Sequence, residues 1–369
     1  FPYNTSMFLH FAAGLVLATS AGAVWDNHNL ITSMALASAP GMDTQVPFET
    51  LEAYLGAGGF AESKENFMRR MKLNPSVDLP LVAGETQGGT LALGTILACY
   101  SDEPDWGFDS KIFQFYPELW KDDYSALGGR KLESTSTVVR HFYLVDGFFK
   151  LAFPPYSSKP LGEAPRRAQL FYEQAVIAFG SGHPYWGARF LAWSIHYVQD
   201  LAVPVHTVQI PSLSMLRLNR TLMIRLMAYY HYAFERCATE MISGQAGAKI
   251  AQRIRRSTAE TGVTFEAADA EELAQMTARH STSQVAASIG DIKEFLPVVP
   301  DLKTLDPETY VKSEAFGRMF DEAVVSRPDA LFRFRGLMQV LIQDASSATR
   351  TLVDMAPKES SRTADAPPA

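Results

Sequence analysis

The chain has 369 residues, 47% hydrophobic and 20% charged, with a net charge of −7. This is the balance of a folded globular chain with room for a sizeable core. The negative charge excludes a global attraction for nucleic acid or an anionic membrane, though not a local site around a bound cation. Cys99 and Cys237 are the sole cysteines; they exclude a disulfide framework and a thiolate zinc site, and leave open either one bridge or two free thiols.

Met7 is a candidate start. The run that follows it, "FLHFAAGLVLATSAGA", is apolar, short for a membrane span, and ends in Ala21-Gly22-Ala23, a fit to signal peptidase. Residues 1–24 therefore read as a signal peptide, without the usual basic start, and the mature protein as secreted or periplasmic. From Trp25 onward helical spacing dominates. "HNLITSMALASA" places Leu30, Ile31, Met34 and Ala37 on one stripe. "YWGARFLAWSIHYVQDLA" does the same with Phe190, Trp193, Tyr197 and Leu201. "LMIRLMAYYHYAFERCATEMI", "DAEELAQMTARHSTSQVAASIGDIKEFL" and "ALFRFRGLMQVLIQDASSATRTLVDM" read as further helices. Strand-like alternation is scarce, and Pro and Gly punctuate connections such as "AGETQGGT" and "FPPYSSKPLGEAP". The expected class is all-α, a single mostly helical domain over residues 25–355. The tail, 356–369, is polar and Pro/Ala-rich, and is expected to be disordered.

The chemistry concentrates in "IHYVQDLAVPVH". His196 and Asp200 are four apart on a predicted helix, so their side chains share a face. Pro204 ends or kinks that helix, and the turned chain can bring His206 back beside the pair. "HYAFE" puts His231 and Glu235 four apart on another helix. "EPDWGFD" supplies Asp105, "RHFYLVD" supplies His141, and "WDNHNL" supplies His28. Imidazole and carboxylate together suit zinc. One such pair alone is more often a solvated pair or a capped core histidine; the set together points to metal. His10 falls in the signal segment, His183 reads as a turn residue before a helix, and His280 as a surface helix residue.

"HYVQDLAVPVH" resembles the central motif of the zinc-dependent phospholipase C/P1 nuclease superfamily, His-x3-Asp-x5-His with a proline before the last histidine. "HYAFE" is similar to the family's later His-x3-acid pair, "DWGFD" and "RHFY" to its earlier Asp and His, and "VWDNHNLITSMAL" to its N-terminal Trp and following His. The pieces keep the family's order from residue 25 to 235. The His-Phe-Tyr wording is nearer the phospholipase C branch; the gap from His206 to His231 is nearer the nuclease branch. The resemblance implies a mostly helical domain with up to three zinc ions in a cleft. It implies one zinc on Asp105, His141, His196 and Asp200, a second on His206, His231 and Glu235, and a third on His28, Asp200 and the backbone amine and carbonyl of Trp25. Asp200 then bridges the first and third ions.

A multi-zinc site is suited to phosphate-ester hydrolysis, and no nucleophile elbow or phosphate-binding Gly loop competes with that reading. The resemblance makes Asp105 the candidate for orienting or deprotonating the attacking water, with a pure ligand role as the alternative. Trp106 follows it; an aromatic there in the phospholipase C branch encloses a choline head group, and a Trp face also suits a nucleobase or plain core. "SMLRLNRTLMIRLMAYY" interleaves Arg217, Arg220 and Arg225 with apolar residues. It reads either as a lipid-surface contact or as a core helix with snorkelling arginines. The expected substrate is a phospholipid, cleaved to diacylglycerol and a phosphorylated head group. The alternatives are a single-strand nuclease/3′-nucleotidase, the one reading with a nucleic-acid partner, and a non-catalytic metal-stabilised binding protein.

Overall fold

A computed structural model describes residues 27–57, 62–117, 140–145, 160, 162–207, 220–243, 263–296 and 298–356. Residues 1–24, expected to be a signal peptide, Trp25 and the tail from 357 lie outside the described residues. The protein is mostly helical, as expected. Its main helices are α1 (His28–Leu36), α2 (Leu93–Tyr100), α3 (Ala164–Gly180), α4 (Pro184–Asp200), α5 (Pro204–Thr207), α6 (Arg220–Ser243), α7 (Ala270–Ser283), α8 (Val285–Phe295), α9 (Pro307–Lys312), α10 (Glu314–Ser326) and α11 (Pro328–Met355). A two-stranded antiparallel ribbon pairs β1 (Gln45–Pro47) with β2 (Thr90–Ala92), Val46 opposite Leu91.

Helix α4 is the hub. Phe190, Trp193, Tyr197 and Leu201 form the expected stripe and are fully buried, but so is nearly every other residue from Tyr185 to Asp200. The reason is that α4 packs against α3, α2, α7 and α11 at once. A helix enclosed on all sides buries polar residues too, and each then needs a partner.

Apolar side chains gather in two clusters. One surrounds α4 and holds Tyr54, Phe67, Tyr100, Phe171, Trp186 and Trp193. The other surrounds α6 and holds Ile31, Tyr229, Phe234, Phe295 and Phe334. Leu226 is buried in this second cluster, and Arg225 donates to the carbonyls of Leu302 and Lys303. The Arg/Leu-rich segment is thus anchored at these two residues, and its first residues, 214–219, lie outside the described ones.

Proline sets four boundaries. Pro184, Pro204, Pro307 and Pro328 each open a helix, where the missing N–H costs nothing. The sequence pattern runs unbroken over 269–296, whereas the structure breaks it at Gln284 into α7 and α8. Thr277 and Thr282 donate back to the carbonyls of Leu273 and Ala278, and Ser283 to that of His280; such back-bonding bends helices. Helix α3 carries no clear apolar stripe in the sequence. Its buried face is mostly Ala164, Ala168, Ala175 and Ala178 around Phe171, with Arg167 buried among them.

Candidate metal centre

The site lies at the seam of the two clusters. His196 and Asp200 come from the last turns of α4, His231 and Glu235 from the middle of α6, and His206 from α5 between them. His28 opens α1. Asp105 sits on the 3₁₀ turn Glu103–Trp106 that follows α2. That turn is fixed by Glu103, which is fully buried and accepts from the Arg189 guanidinium and from Trp193 Nε1 at 2.6 Å, both on α4. Gly107, at φ 106°, then turns the chain through the left-handed region that glycine tolerates best. His141 lies in a short segment that runs beside α5, with Tyr143 N–H donating to the carbonyl of His206 and Val145 N–H to that of Thr207.

Eight side chains singled out in the sequence, His28, Asp105, His141, His196, Asp200, His206, His231 and Glu235, converge here. They form three groups: His141, His196 and Asp200; His206, His231 and Glu235; and His28, Asp105 and His196. Within each group the ligand atoms lie within 4.8 Å of one another. Two ligands held about 2.0–2.1 Å from a tetrahedral zinc stand about 3.4 Å apart. His196 Nε2 is 3.3 Å from Asp200 Oδ2 and 3.0 Å from His141 Nδ1. His141 Nδ1 is 2.8 Å from Asp200 Oδ2. Asp105 Oδ1 is 3.6 Å from His196 Nε2 and 3.7 Å from His141 Nδ1. In the second group Glu235 Oε1 lies 2.9 Å from His206 Nε2 and 3.4 Å from His231 Nε2. Donor types and spacings fit a small divalent cation in both groups.

The third group differs from the expected one. His28 Nε2 lies 3.5 Å from Asp200 Oδ1, as the bridging role requires, but also 3.9 Å from Asp105 Oδ2. Both carboxylates therefore span two groups, one oxygen toward each. The contribution of Trp25 lies outside the described residues. Asp200 Oδ1 also comes within 3.6 Å of His206 Nδ1, which makes Asp200, among the described residues, the carboxylate that reaches all three groups.

Burial and charge set the protonation of the metal-free protein. Burial alone would raise Asp200, but His196, His206 and hydrogen bonds from His141 and His196 hold its carboxyl well below the usual range. Burial would lower His141, yet its contacts with Asp109 and Asp200 push it up to about 10. Burial lowers His231 to about 4 and raises Glu235 to about 7. Two of the ring nitrogens turned away from the cluster are held: His28 Nδ1 lies 2.9 Å from Gln199 Oε1, and His196 Nδ1 2.8 Å from the carbonyl of Ser101. Gln199 donates in turn to Thr32 and Thr349.

Sequence reasoning missed Gln199 and Asp109. Asp109 Oδ2 is 3.2 Å from His141 Nε2. Both residues lie inside quoted runs, one before Asp200 and the other closing "EPDWGFD", but nothing in spacing marks a supporting partner. Trp106 is half-buried next to Asp105. His183 precedes α4 as expected, with Nδ1 2.7 Å from Glu49 Oε1. His280 is not a plain surface residue: it is half-buried, with Nε2 3.1 Å from Oδ2 of the buried Asp344. The two cysteines are both free. Among the described residues no helix is long and apolar enough to cross a membrane. Comparison with family models, characterised proteins and solved structures gave no match.

Proposed function

We propose that the protein is a secreted or periplasmic zinc-dependent phosphodiesterase of the phospholipase C type. The observation that carries the reading is the division of the Asp105 and Asp200 oxygens between adjoining histidine groups. A centre meant only to hold the fold needs one closed set of ligands. Here the groups adjoin, and Asp105 keeps a side-chain exposure of 18% against 2% for Asp200. The site is therefore open on the Asp105 side, and His231, at 17%, adds a second opening.

His141, His196, Asp200 and Asp105 would hold one zinc, His206, His231 and Glu235 a second, and His28 with the two aspartates a third. Zinc held there would make a bound water acidic near neutral pH and would offset the charge on phosphate oxygens. Asp105, the carboxylate most open to solvent, orients the attacking water and takes its proton as the water oxygen bonds phosphorus. The bond from phosphorus to the glycerol oxygen breaks, and that oxygen leaves as the hydroxyl of diacylglycerol by taking up the proton that Asp105 received from the water. Trp106, next in the chain, offers its face to a quaternary ammonium head group.

The test is release of phosphocholine from phosphatidylcholine vesicles by zinc-loaded protein, with EDTA as control. EDTA-sensitive release supports the reading. No release from protein shown to hold zinc removes the phospholipase reading, and hydrolysis of single-stranded DNA by the same preparation would establish the nuclease reading that the long His206–His231 separation favours.

A further inference from the structure

Four of the five histidines at the centre have Nε2 nearest a carboxylate of the cluster: His28, His196, His206 and His231. His141 is turned the other way. Its Nδ1 lies 2.8 Å from Asp200 Oδ2, while Nε2 faces out of the cluster and lies 3.2 Å from Asp109 Oδ2, within ion-pair distance though short of hydrogen-bond alignment. We propose that Asp109 is a positioning residue for His141, holding its imidazole in the Nε2–H tautomer so that this histidine alone presents Nδ1 to a metal ion.

The setting of Asp109 makes it fit for that task. Its side chain is fully buried. Oδ1 accepts from Arg140 Nε at 3.0 Å and lies 3.3 Å from Arg167 Nη2, and Oδ2 accepts from Tyr197 OH at 2.5 Å. Both arginines are themselves anchored. Arg140 donates to Glu163 at 2.7 Å and to the Lys72 carbonyl at 2.8 Å; Arg167 donates to the Met71 carbonyl at 2.8 Å and lies over the Phe171 ring. Two guanidinium groups face two carboxylates, so the buried network is charge-balanced with His141 neutral, the form a metal ligand needs. Its contacts with Arg140, Arg167 and Tyr197 hold the Asp109 carboxylate beside the ring, where it favours one orientation and one tautomer of His141. Arg140 is the neighbour of His141 in the chain, so the same short segment brings the ligand and one support of its partner.

The inference rests on the reading that the cluster holds metal, and its test keeps the two apart. Zinc content and zinc affinity, by competition with a chromogenic chelator, are measured on the full chain before any assay of activity. If the wild type binds no zinc, the metal reading itself falls. If it does, Asp109→Asn is expected to weaken one zinc ion about 10–100-fold, the usual effect of losing a partner to a ligating histidine, while Asp109→Glu restores part of it. Unchanged zinc affinity in Asp109→Asn overturns the proposal. The wild type supplies a measurement that does not depend on a variant folding. In ¹⁵N-histidine-labelled, zinc-loaded protein, long-range proton–nitrogen correlations should show one metal-bound ring with Nδ1 coordinated and Nε2 protonated, and this pattern should be missing in His141→Gln. A His141 ring coordinated through Nε2 overturns the assignment.

Discussion

Asp200 and His196 lie one turn apart on a helix that is buried throughout, with Oδ2 of the first 3.3 Å from Nε2 of the second. Such a pair is costly to bury unless something balances it; the surrounding imidazoles do so in part, and a cation held by the proposed centre would complete the balance. Asp200→Asn removes the charge while keeping the shape. It is expected to lose more than one zinc ion per chain and to cost more activity than the roughly 10–100-fold typical of supporting residues. His280→Ala, which touches Asp344 and not the cluster, should keep near wild-type zinc content and activity. Equal losses in the two variants would place the centre elsewhere.

Zinc affinity should rise with pH. In the metal-free protein at pH 7 His141, pushed up to about 10, carries a proton, Glu235, near 7, carries part of one, and His231, near 4, carries none. Zinc must displace the first two. Calorimetric titration in buffers of different ionisation enthalpy is expected to show more than one proton released per chain at pH 7. An affinity that stays flat between pH 5.5 and about 8 would contradict the protonation scheme.

The convergence of the candidate ligands was legible where its pieces are local. His196 with Asp200 and His231 with Glu235 are each one helical turn apart, and Pro204 marks where the chain turns back to deliver His206. The supporting set was not, because it is tertiary. Gln199 is recognisable only once Thr32 and Thr349 close around it, and Asp109 only once Arg140 and Arg167 arrive from distant segments. Helix α3 escaped for a related reason: alanine fills a close-packed face as well as leucine fills an open one, but leaves a weak period in the sequence. The broken helix at Gln284 needed the direction of three hydroxyl groups, which spacing does not carry.

The metal-free protein should be most stable in mildly acidic solution. Asp200 and Asp109 are held well below the usual carboxyl range, so their contribution is present above the unfolded value of about 3.9 and is lost as pH falls below it. His141 is raised, so its contribution is present below its unfolded value of about 6.5 and fades as pH climbs toward 10. Glu235, raised to about 7, adds a cost that grows as pH rises from about 4.3. Thermal melts in EDTA are expected to give the highest Tm between about pH 4.5 and 6.5. A Tm still rising from pH 7 to 9 would refute this ordering.

Arg189 tests the scaffold rather than the ligands. Its guanidinium meets Glu103 in the interior and lies over the Tyr100 ring. Arg189→Met leaves Glu103 buried with Trp193 alone and should destabilise the fold by about 3–5 kcal/mol, the usual effect of breaking a buried pair. Because Glu103 opens the turn that carries Asp105, zinc affinity should fall as well. Chemical denaturation with and without zinc separates the two effects: destabilisation of the same size in both would mean that the turn holds Asp105 without this support.

Trp106 distinguishes binding from chemistry. It is half-buried beside Asp105 but does not belong to any of the three metal groups. If its face holds a choline head group, Trp106→Ala raises KM for phosphatidylcholine with little change in kcat, the signature of lost ground-state binding. Cation–π attraction of about 0.5–2 kcal/mol corresponds to roughly a 2- to 30-fold rise in KM. The effect should shrink on a lipid with an anionic head group, which the ring does not attract. A fall in kcat with KM unchanged would instead make Trp106 part of what holds Asp105 in place, and head-group selection would have to come from another side chain.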